Sequence, residues 1–381
     1  MFSRTLFAAF SSLALIVAAH AEQAAAVSDA DRAAVKKTIA AATAGQPHEK
    51  IAAEAKAVAD AALRKKLTAF LPELERAAET HRRIEELVKM AVEVKGTSHT
   101  DAGGPDWLRA IVGEDDMAVF ERLITLGFLN EHFGPHDKAQ HSDHDTSGWI
   151  ARLHDLDDLI SLNFQNTLVD DAAVAKLGKL PKLEYLNVSL CPITDAAIPL
   201  LAKYPTLHRI GIGANKKLTG HGFDKLAGLK ELEVINLHSS GIDDEGLRQI
   251  ATLPAIKQLE LGHGEYTDEG IKTLSKITRL RRIQVAGRNV TPAGLQPLGK
   301  LVNLEELFLY DNLATDASIP FVAGLPKLWF LSLVGPFTDA SEPELSKLKR
   351  LKTLELGGHK LTPEALARIK AALPETDVKV K

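Results

Sequence analysis

Apolar residues recur at a nearly constant interval along the C-terminal two thirds of the chain. Ten segments fit the pattern L-x-x-L-x-L, in which the first and last positions vary more than the middle one. Their middle residues are separated by 26, 24, 25, 24, 24, 24, 24, 23 and 24 residues, and they are Ile160, Leu186, Ile210, Ile235, Leu259, Ile283, Leu307, Leu331, Leu354 and Val378. In the segment LEVINL, alternation predicts a strand that buries Ile235 and Leu237 and turns Val234, Asn236 and His238 outward.

A second signal follows each predicted strand at the same distance. A Thr or Asp stands where a short helix is expected to begin and can cap a free backbone N–H there; these residues are Thr194, Thr219, Asp243, Thr267, Thr291, Thr315, Thr338 and Thr362. At the next position, Asp complements the helix dipole and Pro needs no N–H; the residues are Asp195, Asp268, Asp316, Pro292 and Pro363. Each unit is therefore predicted to be one strand backed by one short helix.

The period and the recurring phrases ITDAAI, IDDEGL, YTDEGI, VTPAGL and LTPEAL resemble a bacterial-style leucine-rich repeat array with I-T-D-x-G-L units of about 24 residues. The resemblance covers residues 155–381. It implies an α/β solenoid with parallel strands on the concave face and short helices on the convex face, closed by a C-terminal capping strand at ETDVKVK. It also implies partner binding through the concave face.

The rest of the chain divides into four predicted regions. Residues 1–21 are expected to be a signal peptide, 22–96 a helical hairpin or short bundle, and 97–105 a linker. Residues 106–154 are expected to form a capping helix and strand with an inserted His/Asp-rich loop. In the helical region, Ser28 is predicted to cap a helix that ends near Gly45, and Pro72 is predicted to separate the second helix from the third.

The start of the chain, MFSRTLFAAFSSLALIVAAHAEQ, has the basic, apolar and small-residue plan of an export signal with cleavage after Ala21. An uncleaved N-terminal anchor is the alternative. The mature protein is expected to be periplasmic or secreted, and no later apolar run is long enough to span a membrane. Its one cysteine, Cys191, excludes an internal disulfide. Cys191 occupies the repeat position at which this family places Asn or Cys, so a buried structural role is favoured over a reactive thiol.

Charge and motif content narrow the function classes. The 46 Lys and Arg residues nearly balance 50 Asp and Glu residues, which argues against a nucleic-acid partner because neutralising phosphates needs a clustered basic field. No nucleophile elbow, phosphate-binding loop or haem-attachment motif occurs, and we expect no enzyme and no organic cofactor.

The inserted loop is the one stretch rich in metal-binding side chains. Imidazoles and carboxylates between residues 132 and 145 are the ligand types of a divalent metal such as zinc, copper or nickel. The candidate ligands are His136, His141, Asp143 and His144. The alternative is a polar, solvated loop, because this spacing fits no established metal motif.

Outward positions of the predicted strands supply the candidate binding residues. Phe308, Tyr310 and Phe330, with Trp329 beside them, form a predicted aromatic cluster on two neighbouring strands. Tyr185, His238 and Glu260 are further candidates on the same face. A His238–Glu260–His263 trio would suit a metal or proton transfer. Cover of the aromatic cluster by the N-terminal helices is the alternative to binding.

These observations favour an exported, non-enzymatic scaffold that binds a protein partner through its concave face. Two rival functions stay open: metal binding at the loop 132–145, and carbohydrate or cell-envelope binding through the aromatic cluster at 308–330. A purely architectural spacer is a further alternative.

Overall fold

The computed structural model describes residues 27–93, 97–128, 150, 152–311 and 313–381. The chain divides into two compact units, residues 1–93 with 97–126 and residues 94–96 with 127–381. The expected signal peptide and the His-rich residues 132–145 lie outside the described residues. The boundaries that the sequence predicts at residues 21, 96, 105 and 154 stay predictions. No helix in the described ranges has both the length and the apolar character needed to cross a membrane.

The first unit is built mainly from helices. Its elements are α1 (Asp29–Thr43), α2 (His48–Lys56), α3 (Ala61–Glu93), strand β1 (Thr97–Asp101), α4 (Asp106–Val112), a 3-10 helix (Asp115–Phe120) and strand β2 (Arg122–Gly127). Ser28 caps α1 as predicted, because its side chain accepts a hydrogen bond from the Asp31 N–H at 3.1 Å. Strand β1 lies within the segment that the sequence predicts to be a linker.

The prediction that Pro72 separates two helices is wrong, because α3 runs without a break through this residue. Pro72 lies on the exposed side of α3, and the buried residues Leu67, Leu71, Leu74 and Ala78 continue past it at spacings of three and four. The apolar face of the helix is therefore uninterrupted. The free energy gained by burying this face exceeds the loss of the one backbone hydrogen bond that proline cannot donate.

The second unit is a stack of parallel strands joined by short helices. The strands pair in chain order and are β3 (Ser161–Asn163), β4 (Tyr185–Asn187), β5 (Arg209–Gly211), β6 (Val234–His238), β7 (Gln258–Gly262), β8 (Arg282–Ala286), β9 (Glu306–Leu309), β10 (Phe330–Val334), β11 (Thr353–Gly357) and β12 (Asp377–Val380). The α-helices are α5 (Asp171–Lys176), α6 (Asp244–Ile250), α7 (Asp268–Leu274), α8 (Glu342–Leu345) and α9 (Pro363–Ala372). Within the described residues, five 3-10 helices complete the connections: Asp195–Lys203, Phe223–Leu226, Ala293–Lys300, Ile319–Gly324 and Asp339–Ser341. The predicted α/β solenoid is confirmed.

The register of the sheet corrects the first repeat. Leu162, and not Ile160, pairs with Leu186, so the first spacing is 24 residues instead of 26. Ile160 and Leu162 lie on the same face of a strand, and alternation alone does not choose between them. Leu162 is completely buried, whereas Ile160 is only partly buried. At the other end, β12 is an edge strand, and Val380 is 46% exposed, although strand alternation places Val378 and Val380 on the inward side.

The Asp that follows the capping position has a second role that the sequence analysis missed. In six pairs its carboxylate accepts two hydrogen bonds from a Thr of the next repeat, one from the backbone N–H at 2.7–2.9 Å and one from the hydroxyl. We call each pair an aspartate rung. The rungs are Asp171–Thr194, Asp195–Thr219, Asp244–Thr267, Asp268–Thr291, Asp316–Thr338 and Asp339–Thr362.

The predicted caps are confirmed for most repeats, including Thr194, Asp243, Thr267, Thr338 and Thr362. Thr219 and Thr315 do not cap a helix. The helix after Thr219 begins later and follows Gly222, which has a φ of +114°. Thr315 follows a repeat with Pro292 at the rung position, and its buried hydroxyl has no hydrogen-bond partner in the described structure.

Candidate functional site

The strands of the second unit arrange their outward residues in rows that run across the sheet. In one row Tyr185 aligns with Arg209, Val234, Gln258, Arg282, Glu306 and Phe330. In the next row Asn187 aligns with Gly211, Asn236, Glu260, Gln284, Phe308 and Ser332. Neighbouring strands are about 4.8 Å apart, so residues of one row contact each other directly. Every described residue that the sequence nominates for partner binding lies on or beside these two rows.

The four predicted aromatic residues come together at β9 and β10, and we call Phe308, Tyr310, Trp329 and Phe330 the aromatic patch. The Phe308 and Phe330 ring centroids are 4.8 Å apart, the Phe308 and Tyr310 centroids 6.3 Å, and the Trp329 and Phe330 centroids 5.9 Å. Trp329 is 39% exposed, and the other three side chains are partly exposed. The patch is therefore a continuous apolar surface that is partly open to solvent.

Arg282 links the aromatic patch to the charged centre of the face. Its guanidinium carbon lies 4.4 Å from the centroid of the Phe308 ring, and its side chain also forms an ion pair with Glu306. A second carboxylate, that of Glu260, lies 4.0 Å away and accepts a hydrogen bond from the amide of Asn236. Arg282 thus lies between two carboxylates and is paired with both.

A polar groove of about 570 Å³ lies at the opposite part of the face, over β4 to β6. Its walls include Gln165, Tyr185, Asn187, Arg209, Lys216 and His238, and no Asp or Glu contributes to its lining. Its floor is open because two glycines lie there, Gly211 at the end of β5 and Gly213 just after it. A Cβ at Gly211 would lie 2.6 Å from Oδ1 of Asn187, and a Cβ at Gly213 would lie 2.8 Å from Oδ1 of Asn236. A larger residue at either position would collide with an amide and fill the groove.

Tyr185, a predicted binding residue, forms one wall of this groove. The guanidinium carbon of Arg209 lies 5.4 Å from the centroid of its ring. Burial is the largest influence on the phenol and raises its pKa, so the hydroxyl remains protonated near neutral pH. The side chain therefore presents a hydroxyl and a ring edge, with the cationic Arg209 beside it.

The predicted trio of His238, Glu260 and His263 is brought together only in part. The His238 and His263 ring centroids are 5.6 Å apart in an edge-to-face arrangement, whereas Glu260 is held by Asn236. His263 instead reaches across one repeat to Asp311, whose Oδ2 lies 2.8 Å from its Nδ1. Burial and then the neighbouring His263 lower the pKa of His238, so its imidazole is neutral near pH 7.

Among the described residues, no three or more His, Cys, Asp or Glu side chains are placed to hold a metal ion together. The trio is therefore a pair of histidines, one of them beside an acid, and not a metal centre. The predicted ligands His136, His141, Asp143 and His144 lie outside the described residues, so the metal prediction for that loop stays a prediction.

Cys191 has the buried structural role that the sequence analysis favours. It is 4% exposed, and its thiol donates a hydrogen bond to the Phe164 carbonyl at 3.0 Å. Burial raises its pKa to about 11, so almost no thiolate is present at neutral pH. Asn215 and Ser240 bond carbonyls from the equivalent positions, and Asn312 lies outside the described residues.

Arg209 and Arg282 lie at outward positions of the alternating pattern, but the sequence analysis did not nominate them as binding residues. The available signal was charge, because both are cations at positions that alternation turns outward. Lys216 lies in the turn after β5, outside the alternating pattern, and only the turn geometry brings it to the groove.

The stacked parallel strands, the 24-residue register and the buried leucine ladder define the second unit as a leucine-rich repeat solenoid. A family model described as "Leucine Rich repeat" matches residues 179–201, which contain β4 and the first part of the following 3-10 helix. The matched segment is one repeat of the solenoid, so the sequence match and the fold of the second unit agree.

Two solved structures show the extent of the structural similarity. An internalin from Listeria monocytogenes shares 19% identity and a TM-score of 0.44, with 61% of this chain and 72% of that chain covered. A plant peptide hormone receptor, RGFR1 in complex with RGF2, shares 14% identity and a TM-score of 0.38, with 59% of this chain and 40% of the receptor chain covered. No curated protein sequence matches the chain.

Proposed function

We propose that this protein is an exported, non-enzymatic scaffold, periplasmic or secreted, that binds a protein partner through the concave strand face of its solenoid. The observation that carries the proposal is the aromatic patch. Soluble proteins rarely leave several contacting aromatic side chains partly open on a sheet face unless a partner covers them. Aromatic residues that cluster beside an arginine are also typical of the few positions that supply most of the energy of a protein interface.

The geometry of the patch favours an apolar side chain over a sugar ring as its ligand. Stacking on a sugar needs a free aromatic face. On one side of Phe308 lies Arg282, at 4.4 Å, and Phe330 packs against the ring with a centroid distance of 4.8 Å. The remaining exposed surface belongs to Tyr310, Phe330 and Trp329. Such a surface accepts Leu, Met or an aromatic side chain, which pack well against clustered rings.

The test starts from the mature chain beginning at Glu22. The native form is compared with a variant carrying Phe308→Ala, Tyr310→Ala and Phe330→Ser in a pull-down from cell-envelope extract, with captured proteins identified by mass spectrometry. The best candidate is then purified and its affinity for both forms is measured by calorimetry. We expect the variant to bind at least about 30-fold more weakly, the effect of losing about 2 kcal/mol at a hot spot.

A matched control removes apolar surface elsewhere on the same unit. Leu168 and Val302 are 38% and 48% exposed and lie outside the aromatic patch. The Leu168→Ala, Val302→Ala double variant should bind the partner as the native form does. If both variants bind with native affinity while circular dichroism shows them folded, the aromatic patch is not the principal site.

A further inference from the structure

The charge and polarity of the concave face differ between its two ends. The polar groove over β4 to β6 contains two cations, Arg209 and Lys216, and no carboxylate. Both side chains are exposed, and neither forms an ion pair in the part of the chain that the structure describes. Arg209 contacts the ring of Tyr185. This side of the face therefore carries uncompensated positive charge.

The centre of the face differs because its arginine is already paired with carboxylates. Arg282 forms an ion pair with Glu306, and Glu260 accepts a hydrogen bond from Asn236. An acidic group of the ligand gains little at the centre, because Arg282 already lies between the carboxylates of Glu306 and Glu260. Beyond the centre lies the aromatic patch, where the ligand must be apolar.

The distance between the two ends sets the length of a ligand that reaches both. Arg209 lies on β5 and Phe330 on β10, five strand spacings apart. At about 4.8 Å per spacing this is about 24 Å, and an extended chain advances about 3.3 Å per residue. In a peptide that crosses the strands, the two contact residues are thus about seven positions apart.

We infer that the partner presents an extended segment with a carboxylate at one end and a large apolar side chain about seven residues away. The carboxylate binds Arg209 and Lys216 in the polar groove, and the apolar side chain packs on the aromatic patch. Arginine is suited to bind the acidic end of the segment, because its planar guanidinium donates two parallel hydrogen bonds to a carboxylate. This inference rests on the proposed function and adds the chemistry and order of the recognised segment.

The test uses synthetic peptides and needs no knowledge of the natural partner. The main probe is a fluorescein-labelled peptide with two glutamates, a spacer of five Gly and Ser residues, and a Trp-Leu end. A second probe has glutamines in place of the glutamates, and a third has a spacer of one residue. Binding to the mature chain is measured by fluorescence anisotropy at low salt.

We expect the glutamine probe and the short probe each to bind about tenfold more weakly than the main probe, since one charge-assisted contact is worth about 1.4 kcal/mol. An Arg209→Gln, Lys216→Gln variant should lose the same tenfold for the main probe and nothing for the glutamine probe. The control variant Lys276→Gln, Arg288→Gln makes the same charge change at two exposed cations outside the groove and should bind the main probe normally.

Several results would overturn the inference. They are equal binding of the glutamate and glutamine probes, full binding by the groove variant, equal binding of the short probe, or no saturable binding up to about 1 mM, the range of a 4 kcal/mol interaction. If the aromatic-patch variant loses the natural partner but the groove variant does not, the inference fails and the proposed function stands. If substitution of the aromatic patch changes neither peptide nor partner binding, the proposed function fails as well.

Discussion

Aspartate rungs are the most regular polar feature of the solenoid. Each joins two consecutive repeats through one carboxylate and one threonine, as in the pair Asp268 and Thr291. The rung position is occupied by Pro292 in one repeat and Gly220 in another, and neither side chain can accept a hydrogen bond. At the first of these gaps the Thr315 hydroxyl is buried without a hydrogen-bond partner in the described structure. The T-D phrase is therefore a stacking device as well as a helix start.

Restoring the missing rung should stabilise the solenoid. We expect Pro292→Asp to be more stable than Pro292→Ala by about 1 kcal/mol, the usual net value of a hydrogen bond, because the new carboxylate can accept the Thr315 hydroxyl. The comparison with alanine removes the effect of losing proline from the unfolded chain. Urea denaturation measures both free energies of unfolding. The difference should disappear in a Thr315→Val background, and a difference that persists there would assign the gain to another contact.

Rungs should also make stability depend on pH in the acid range. The Thr362 N–H and hydroxyl both donate to Asp339 and lower the pKa of its carboxyl below the ordinary value of 3.8. A carboxyl with a lowered folded-state pKa contributes stability above its unfolded pKa and loses that contribution as the pH falls through the folded value. We expect native protein to be more stable than Asp339→Asn at pH 7, by an amount that stays constant down to about pH 5 and shrinks below about pH 4. Urea denaturation at several pH values checks this, and a difference that grows on acidification would contradict the sign.

At the scale of elements, helix α3 shows how burial decides a boundary. Pro72 is a strong local signal for the start of a helix. The helix nevertheless continues on both sides, because Leu67, Leu71 and Leu74 lie on one buried face. The proline faces solvent, where water can bond the carbonyl that loses its partner.

Removing this proline should stabilise the first unit. Pro72→Ala restores a backbone N–H and the helix hydrogen bond, and proline costs about 3 kcal/mol relative to alanine in a helix interior. We expect a gain of about 1–3 kcal/mol in the free energy of unfolding of this unit, measured by thermal denaturation followed by circular dichroism. Arg76→Ala, one turn later on an exposed position of the same helix, is the control and should change little. A loss of stability in Pro72→Ala would show that the proline shapes a bend on which the packing depends.

At the scale of the whole solenoid, stability is shared between neighbouring repeats. Each interior strand pairs with two others, whereas β12 pairs with β11 alone. The central ladder residues are at most 1% exposed from Leu162 to Leu354. Such an array behaves as a one-dimensional chain in which a defect in the interior affects both sides.

The position of a core substitution should therefore determine its effect. Leu259→Ala, in the middle of the array, should cost about 2–5 kcal/mol and lower the protection of amides in several repeats. Val378→Ala in β12 should cost less than about 1 kcal/mol, because its side chain is already partly exposed. Urea denaturation and amide hydrogen exchange measure both variants. Equal costs would contradict the nearest-neighbour description.

The sequence by itself determined the repeat, the outward rows with their aromatic residues, and the strands and buried ladder from Leu186 to Leu354, but not the ladder residue of the first strand. Those features depend on the two-residue alternation of a strand and on a repeating period, which are both visible along the chain. It did not determine the partners of individual side chains, because those contacts join residues one or two repeats apart. His263 reaches Asp311 past a glycine in the intervening repeat, and Arg282 lies over Phe308. Whether such groups meet is decided by strand register and side-chain direction, which exist only once the repeats are stacked.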